Sequence, residues 1–310
     1  MIAFWTALAL KSTLWALILG LASVAVPAAF PRGRRGLALV GIWGLWLLPW
    51  MPELPVTALN SDLRLPAPVM ESVSQPWLVW AWVLGGCIAM LRLLREALHL
   101  AACARKAQKD RIGEAEVHFS AEVEGPCMAG WLRPRVFLPL EAKNWPASNL
   151  RAALRHELQH VRQHDGLHRA AAALLRSLFW WNPVVHALCS IYENESEVCC
   201  DLEAADGVMT RHDYGHLLLA HACGSHATAL APLFAWQSSL QKRIERLVAE
   251  RSESPWRLTV RWMIVTALLV LGGVTMASIR LSSEASATGA STEKQEALTR
   301  LQANPFPAGS

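Results

Sequence analysis

Charged residues are scarce in this chain of 310 residues: Asp, Glu, Lys and Arg together make up 17%, where an ordinary soluble domain has about a quarter. Apolar residues make up 53%. This balance argues against a single soluble domain and favours membrane-spanning segments. Four apolar stretches approach the roughly 20 residues that a helix needs to cross a bilayer. We predict transmembrane helices at residues 5–26, 37–51, 77–94 and 258–279.

The chain also lacks a continuous basic stripe, although its net charge is +4. Its lysines and arginines gather at the ends of the apolar stretches, so we predict contact with the lipid bilayer and no direct binding of nucleic acid. Arg32, Arg34 and Arg35 fill the first short loop, whereas the second loop carries more acidic than basic residues. Because cytoplasmic loops are enriched in Lys and Arg, the first loop is placed in the cytoplasm and both termini outside.

Counting segments from this loop gives the predicted organisation of the chain. Its parts are three transmembrane helices within residues 1–95, a cytoplasmic domain at 96–257, a fourth transmembrane helix at 258–279 and a short external tail at 280–310. The tail is rich in Ser, Ala, Thr and Glu, so we expect it to be disordered.

Two further absences narrow the function. The seven cysteines form no CxxC pair, and the adjacent Cys199 and Cys200 would point about 100° apart on a helix, so we interpret them as small buried side chains. Charged residues are nearly missing from the interiors of the apolar stretches, where Lys11 is the exception. A transporter would carry such residues along its substrate path, and that class is disfavoured.

The predicted cytoplasmic domain is of the α+β class. Alternation over residues 114–123 predicts a half-buried strand, with His118 on its polar face, and residues 135–139 predict a second strand, so that the two form a small antiparallel sheet. Helices are predicted from Ser148 through His164, over 167–180, and from Pro183 towards Asp206 and Gly207, with weaker helices at 214–222 and 239–250.

A metal-binding pattern lies in the first of these helices. Residues 156–160 read HELQH, and the i, i+4 spacing puts His156 and His160 on one helix face at zinc-binding separation. Glu157 then lies beside the ion, where it can accept a proton from the attacking water. A chance match in a polar helix is the alternative. His164 and His168 continue the face, but on a straight helix they lie too far along the axis to share one ion.

A third ligand must come from elsewhere, because the extended HExxHxxGxxH pattern is not present. Glu193, Glu195 and Glu197 follow on the third helix. We choose Glu197, since it alone has a carboxylate one turn on, at Asp201, that can hydrogen-bond a zinc-bound imidazole. The alternative is that these glutamates form a solvated helix face.

Taken together, these motifs resemble those of the BlaR/MecR-type membrane zinc metallopeptidases, which are antirepressors of bacterial antibiotic resistance. The resemblance is carried by four motifs in the family's order: residues 130–139, 156–165, 179–183 and 197–201. It implies a zincin-like (gluzincin) domain between membrane helices, one Zn²⁺ held by His156, His160 and Glu197, and Glu157 as the general base.

The resemblance also implies a cellular location, a process and a substrate. It indicates a multi-pass metalloendopeptidase of the bacterial inner membrane that acts in transmembrane signalling and cleaves a transcriptional repressor of the winged-helix type, itself, or both; oligomerisation is left open. In the family a penicillin-binding sensor domain follows the last membrane helix, whereas about thirty residues follow here, so we do not expect this chain to sense β-lactams. The alternative function is a zinc-binding signalling scaffold without catalysis.

Two details of the active site are also predicted. We expect the substrate backbone to lie in a groove beside the strand at residues 136–138, because strand addition holds a peptide extended across the metal. Tyr214, His212 and His216 are candidate oxyanion donors.

Overall fold

The computed structural model describes residues 2–47, 76–224, 240–248 and 255–278. Its helices are α1 (Ile2–Ala25), α2 (Pro31–Leu47), α3 (Pro76–Lys106), α4 (Ala147–Arg162), α5 (Asp165–Leu178), α6 (Pro183–Ala205), α7 (Arg211–Gly224), α8 (240–248) and α9 (Pro255–Ser278). Its strands are β1 (Gln108–Ile112), β2 (Ala115–Ser120), β3 (Cys127–Ala129) and β4 (Arg135–Pro139). The predictions for the second loop and for the tail fall outside the described residues.

The predicted membrane segments coincide with helices as far as the structure describes them. Within the described part, α1 contains the one 18-residue stretch that is long and apolar enough to cross a membrane, Leu8–Ala25, and α9 contains a shorter apolar stretch, Thr259–Val270. Helix α3 runs 31 residues to Lys106, past the predicted end at residue 94, because strong helix formers follow without Gly or Pro. The four-span arrangement therefore stays a prediction.

The apolar hairpin of α1 and α2 shares a core with α5 and α6. Members of this core from the hairpin are Ala16, Leu19, Ala38, Ile42 and Leu45, and members from α5 and α6 are Ala172, Leu175, Val185, Leu188 and Tyr192. Helix α2 approaches α6 so closely at Gly41 that an added Cβ would lie 2.8 Å from Leu188 Cδ2. The hairpin is thus packed directly on the helix that carries the predicted third ligand.

The turn between α5 and α6 also reaches the apolar helices. Asn182 Nδ2 donates to Thr13 Oγ1 of α1 at 2.8 Å, and Trp180 Nε1 donates to the Trp82 carbonyl of α3 at 3.2 Å. Both partners lie well inside predicted membrane segments. Asn182 in addition caps α6, because its side-chain oxygen accepts from the amides of Val184 and Val185. The predicted helix start at Pro183 is confirmed.

The small sheet has four strands in the order β1-β2-β4-β3. Strands β1 and β2 form an antiparallel hairpin, β2 pairs with β4 in parallel, and β3 pairs with β4 in antiparallel fashion. The predicted antiparallel pairing of the 114–123 and 135–139 strands is wrong, because the chain first forms β3 on the far side of β4 and returns through a turn at Gly130, whose φ is +101°.

Two local predictions also need correction. The strand predicted at residues 114–123 spans Ala115–Ser120. It is not half-buried, because His118 on the predicted polar face is only 2% exposed. Its ring packs on Phe137 of the parallel neighbour β4. The helix predicted to run through His164 ends at Arg162, and Ser148 does not cap it. His164 adopts a left-handed conformation with φ 54°, which interrupts the helix before α5 begins at Asp165.

Gly166 shows why a small residue is needed at this bend. A Cβ built there would lie 2.2 Å from the Gly130 carbonyl oxygen, so Gly166→Ala must push two backbones apart. We expect a loss of about 1–3 kcal/mol in unfolding free energy, as for other overpacked sites, measured by thermal unfolding in detergent. Gly36→Ala in α2 is the matched control, since nothing lies within 4 Å of its Cβ position. Equal stability of the two variants would contradict this packing.

Candidate metal centre

Helices α4 and α6 bring the three predicted ligands together. His156 and His160 lie one turn apart on α4, with their Nε2 atoms 3.2 Å from each other. Glu197 of α6 faces both rings: its Oε2 is 3.5 Å from His156 Nε2 and its Oε1 is 3.4 Å from His160 Nε2. Both histidines are buried and the glutamate is partly buried.

These distances fit a zinc ion. Zn–N and Zn–O bonds of about 2.0–2.1 Å in a tetrahedron put neighbouring ligand atoms about 3.3 Å apart. The two Nε2 atoms are 3.2 Å apart, and each lies 3.4 or 3.5 Å from a different oxygen of the Glu197 carboxylate. Two imidazoles and one carboxylate are also a ligand set that catalytic zinc sites use, because they leave one position for water. The residues present therefore fit Zn²⁺ in both geometry and chemistry.

Each imidazole is oriented by a carboxylate on its other nitrogen. His156 Nδ1 lies 3.1 Å from Asp201 Oδ1, as the sequence predicted for this residue, and His160 Nδ1 lies 2.6 Å from Asp165 Oδ2. Such bonds hold the Nε2 lone pair towards a metal. Sequence reasoning missed Asp165 because a helix continuing through His164 would carry it away from His160; the observed bend folds it back.

The electrostatics of the centre favour a cation. Burial opposes protonation of His156, yet hydrogen bonds to Asp201 and Glu197 outweigh it and raise the pKa of His156 to about 10. Burial likewise opposes the charge of Glu197, but His156 and Arg243 hold the pKa of this carboxyl well below its usual range. Bound Zn²⁺ would supply the positive charge that protonated His156 otherwise provides.

A cavity of about 260 Å³ opens beside the three ligands and is also lined by Glu157, Arg169 and Arg243. Burial raises the pKa of Glu157, which is 6% exposed, so its carboxylate is a stronger base than an exposed one. Cys127 lies on the same wall, and burial raises the pKa of its thiol to about 11, so the thiol is protonated at neutral pH.

Two arginines that sequence reasoning missed contact the third ligand. Arg169 Nη2 donates to Glu197 Oε1 at 2.5 Å, and Arg243 Nη1 lies 3.2 Å from Glu197 Oε2. Arg243 also donates to both oxygens of Asp201 at 2.7 Å. No local pattern marked these residues, since Arg169 follows the bend and Arg243 comes from α8, more than forty positions beyond Asp201.

The two competing glutamates of α6 point elsewhere. Glu193 pairs with Arg176 of α5 at 2.5 Å, and the buried Glu195 pairs with Arg246 and lies 3.4 Å from Arg34. Neither lines the cavity. The alternative of a wholly solvated glutamate face does not describe these three residues.

A second group of candidate ligands lies behind the first and consists of His160, Asp165 and Cys200. The Cys200 sulfur is 3.3 Å from His160 Nδ1, and burial raises the pKa of its thiol. Because the metal-binding form of cysteine is the thiolate, we interpret Asp165 and Cys200 as hydrogen-bonding partners of His160 Nδ1.

Of the other predicted residues, Tyr214 lines the cavity and the histidines do not. Tyr214 OH lies 3.2 Å from His156 Nδ1 and donates to Asp201, so in this structure its hydroxyl is engaged with the partners of the ligand. His212 and His216 are exposed and pack on each other. His168 accepts from Trp43 Nε1 at 3.2 Å, away from the cavity, and His164 forms the bend.

The chain is similar in sequence to known proteins. Residues 56–247 match the family described as BlaR1 peptidase M56. The chain is 25% identical over 217 residues to Regulatory protein BlaR1 of Bacillus licheniformis, which covers 62% of this chain and 36% of that protein. It is 22% identical over 137 residues to the Methicillin resistance mecR1 protein of Staphylococcus aureus, which covers 42% of this chain and 23% of the relative.

This chain therefore spans about a third of the length of the first of these relatives and less of the second. The family match covers more than half of the chain and includes the strands, the bend and all three helices that build the centre. The chain belongs to the BlaR1 peptidase M56 family.

Proposed function

We propose that this chain is an integral membrane zinc metalloendopeptidase that cleaves a protein substrate in transmembrane signalling. One observation carries the proposal: two imidazoles and a carboxylate lie close enough together to share one zinc ion, on one side of a cavity that Glu157 also lines. Glu157 is not among the ligands. A scaffold site that only binds zinc has no need of a buried carboxylate with raised proton affinity in that position.

The chemistry follows from the positions of these side chains. His156, His160 and Glu197 would hold the ion, and bound zinc would polarise the scissile carbonyl and acidify a water molecule. Glu157 accepts the proton of the attacking water and then delivers it to the departing amine. Asp201 and Asp165 accept hydrogen bonds from Nδ1 of the two imidazoles. This keeps the proton on Nδ1 and leaves the lone pair of Nε2 for the metal.

The position of the substrate differs from the sequence prediction. Strand β4 pairs with β2 at Val136–Val117 and with β3 at Phe137–Cys127, so no peptide can add beside residues 136–138. Strand β3 is an edge strand, and its Cys127 and Met128 line the cavity. We propose that the substrate backbone adds to the free edge of β3, which would hold it extended past the three ligands.

Hydrogen exchange distinguishes the two free edges of the sheet. A peptide hydroxamate inhibitor that adds to β3 should slow amide exchange at Cys127–Ala129, because a strand partner covers its outward amides. The opposite edge strand, Gln108–Ile112, is the matched control and should exchange at an unchanged rate. If exchange slows at β1 instead, or is unchanged at both edges, the substrate does not add to β3.

Membrane topology is part of the proposal. Three arginines that the positive-inside rule places in the cytoplasm contact the helices around the metal centre: Arg32 pairs with Glu203 at 3.1 Å, Arg34 lies 3.4 Å from Glu195, and Arg35 pairs with Asp165 at 2.7 Å. These contacts support the same side for the first loop and for the active site. We propose that the centre faces the cytoplasm of a bacterial inner membrane and that both termini are external.

Reporter fusions test this topology. A reporter that is active only in the cytoplasm should work when fused after Gly224 and fail when fused after Ser282, because α9 lies between the two points. A reporter that is active only outside should give the reverse pattern. If both fusions report the same side, α9 does not cross the membrane.

The proposed activity is tested with purified chain in proteoliposomes, supplied with or without Zn²⁺. Zinc-dependent fragments should appear, either from the chain itself or from a winged-helix repressor encoded beside it. Mass spectrometry identifies the cleaved bonds. Bound zinc without any cleavage of either protein would favour the non-catalytic scaffold instead.

A further inference from the structure

Asp165 is a fully buried carboxylate with four donors. It accepts from His160 Nδ1 at 2.6 Å, from Tyr192 OH at 2.6 Å, from Ser196 Oγ at 2.5 Å and from Arg35 Nη2 at 2.7 Å. The first three donors belong to α4 and α6. Arg35 alone comes from α2, the second helix of the apolar hairpin.

Arg35 makes a second contact that matters for the same ligand. Its Nη2 also donates to the carbonyl oxygen of Gln163 at 3.1 Å, at the end of the helix that carries the HELQH motif. The guanidinium lies 5.7 Å from the centre of the Tyr192 ring, and the side chain is 15% exposed. One arginine thus joins the end of α4, the bend and Asp165.

Loss of this arginine would affect His160 through Asp165. A buried carboxylate needs a charged partner, because hydrogen bonds from neutral groups compensate only part of its lost hydration. Without Arg35, Asp165 keeps Tyr192 and Ser196 but loses its one arginine partner among the described residues. The carboxylate would then shift, and the ring of His160 would lose the bond that aims its Nε2 at the metal.

We propose that Arg35 is a positioning residue for the metal centre: from α2 it holds Asp165, and through Asp165 it sets the orientation of His160 and hence the affinity for zinc. The inference rests on the proposed zinc site. It gives the apolar hairpin a direct mechanical connection to a ligand. Helix α2 is also packed tightly against α6 at Gly41 and Leu188. A displacement of α2 would therefore change its contacts with both α4 and α6, the helices that supply the ligands.

Zinc affinity of the full chain tests the proposal. The dissociation constant is measured by competition with a chelator in detergent for the natural chain and for Arg35→Gln, Arg35→Lys and Arg32→Gln. Arg35→Gln should raise the constant about 10- to 100-fold, as other changes behind a metal ligand do. Arg35→Lys keeps the charge, with its donors on a single nitrogen, and should recover part of the loss. Arg32→Gln removes a charge from the same turn, but Arg32 is exposed and pairs with Glu203, so it should change the constant less than twofold.

A double-mutant cycle separates positioning from general destabilisation. If Arg35 acts through Asp165, Arg35→Gln should add little to the loss of zinc affinity already caused by Asp165→Asn. Additive losses, or equal zinc affinities for Arg35→Gln and Arg32→Gln, would overturn the proposal. If the natural chain binds zinc but cleaves nothing, the peptidase function fails while this comparison stands. If the natural chain binds no zinc, both fail together.

Discussion

Replacing Glu157 with Gln should lower the rate of substrate cleavage by about 10²- to 10⁴-fold, the usual contribution of a general base. The amide has nearly the same shape as the carboxylate but cannot accept a proton from water. Glu157 is not among the candidate ligands, so the variant should bind zinc and insert into membranes like the natural chain. Cleavage is measured on proteoliposomes with matched zinc content.

Glu193→Gln is the control for this experiment. Glu193 lies on α6 outside the cavity and pairs with Arg176, so its substitution removes the same charge without touching the reaction. We expect Glu193→Gln protein to cleave the substrate at the rate of the natural chain. Glu157→Gln protein that cleaves at the natural rate would exclude Glu157 as the base and with it the proposed mechanism.

Replacing Glu197 with Gln should raise the dissociation constant for zinc by more than about 100-fold, beyond the 10- to 100-fold typical of residues that only orient a ligand. The carboxylate supplies the one anionic ligand, and an amide oxygen is a weaker donor to Zn²⁺. Asp201→Asn should fall in the lower range, because Asp201 contacts His156 at Nδ1 and not at the metal-facing nitrogen. Chelator competition measures the dissociation constants of both variants and of the natural chain.

Glu193→Gln again serves as the matched control, since it removes a glutamate from the same helix and should retain zinc. Thermal unfolding without zinc accompanies each measurement, because Glu197→Gln also removes the charge that pairs with Arg169 and one of the two carboxylates that contact Arg243. A larger zinc loss in Glu193→Gln than in Glu197→Gln would move the third ligand along α6.

The clustering of the three candidate ligands could be predicted from the sequence because their geometry is local. The i, i+4 spacing of His156 and His160 fixes both rings on one face wherever the helix lies. The choice of Glu197 rested on Asp201, one turn further along the same helix, and both side chains do face α4. Helices of apolar or regular pattern were likewise predicted close to their observed positions.

Features that depend on a bend or on tertiary packing could not be predicted. Asp165 reaches His160 only because His164 adopts a left-handed conformation that few residues other than glycine favour. Strands β1 and β3 are short, β1 is polar as well, and they are stabilised by their neighbours rather than by their own sequence pattern. Arg35 and Arg243 come from distant segments, so only the folded chain brings them to the centre.

The ligand set itself is tested most directly by zinc X-ray absorption spectroscopy on the purified chain. Two imidazoles, the Glu197 carboxylate and a water predict nitrogen and oxygen neighbours alone at about 2.0–2.1 Å, with outer-shell scattering from two histidine rings. Glu197→Gln should alter this first shell, whereas Glu193→Gln should not. A sulfur neighbour at about 2.3 Å would contradict the assignment and indicate a thiolate ligand, either Cys200 in the group with His160 and Asp165 or Cys127 on the cavity wall.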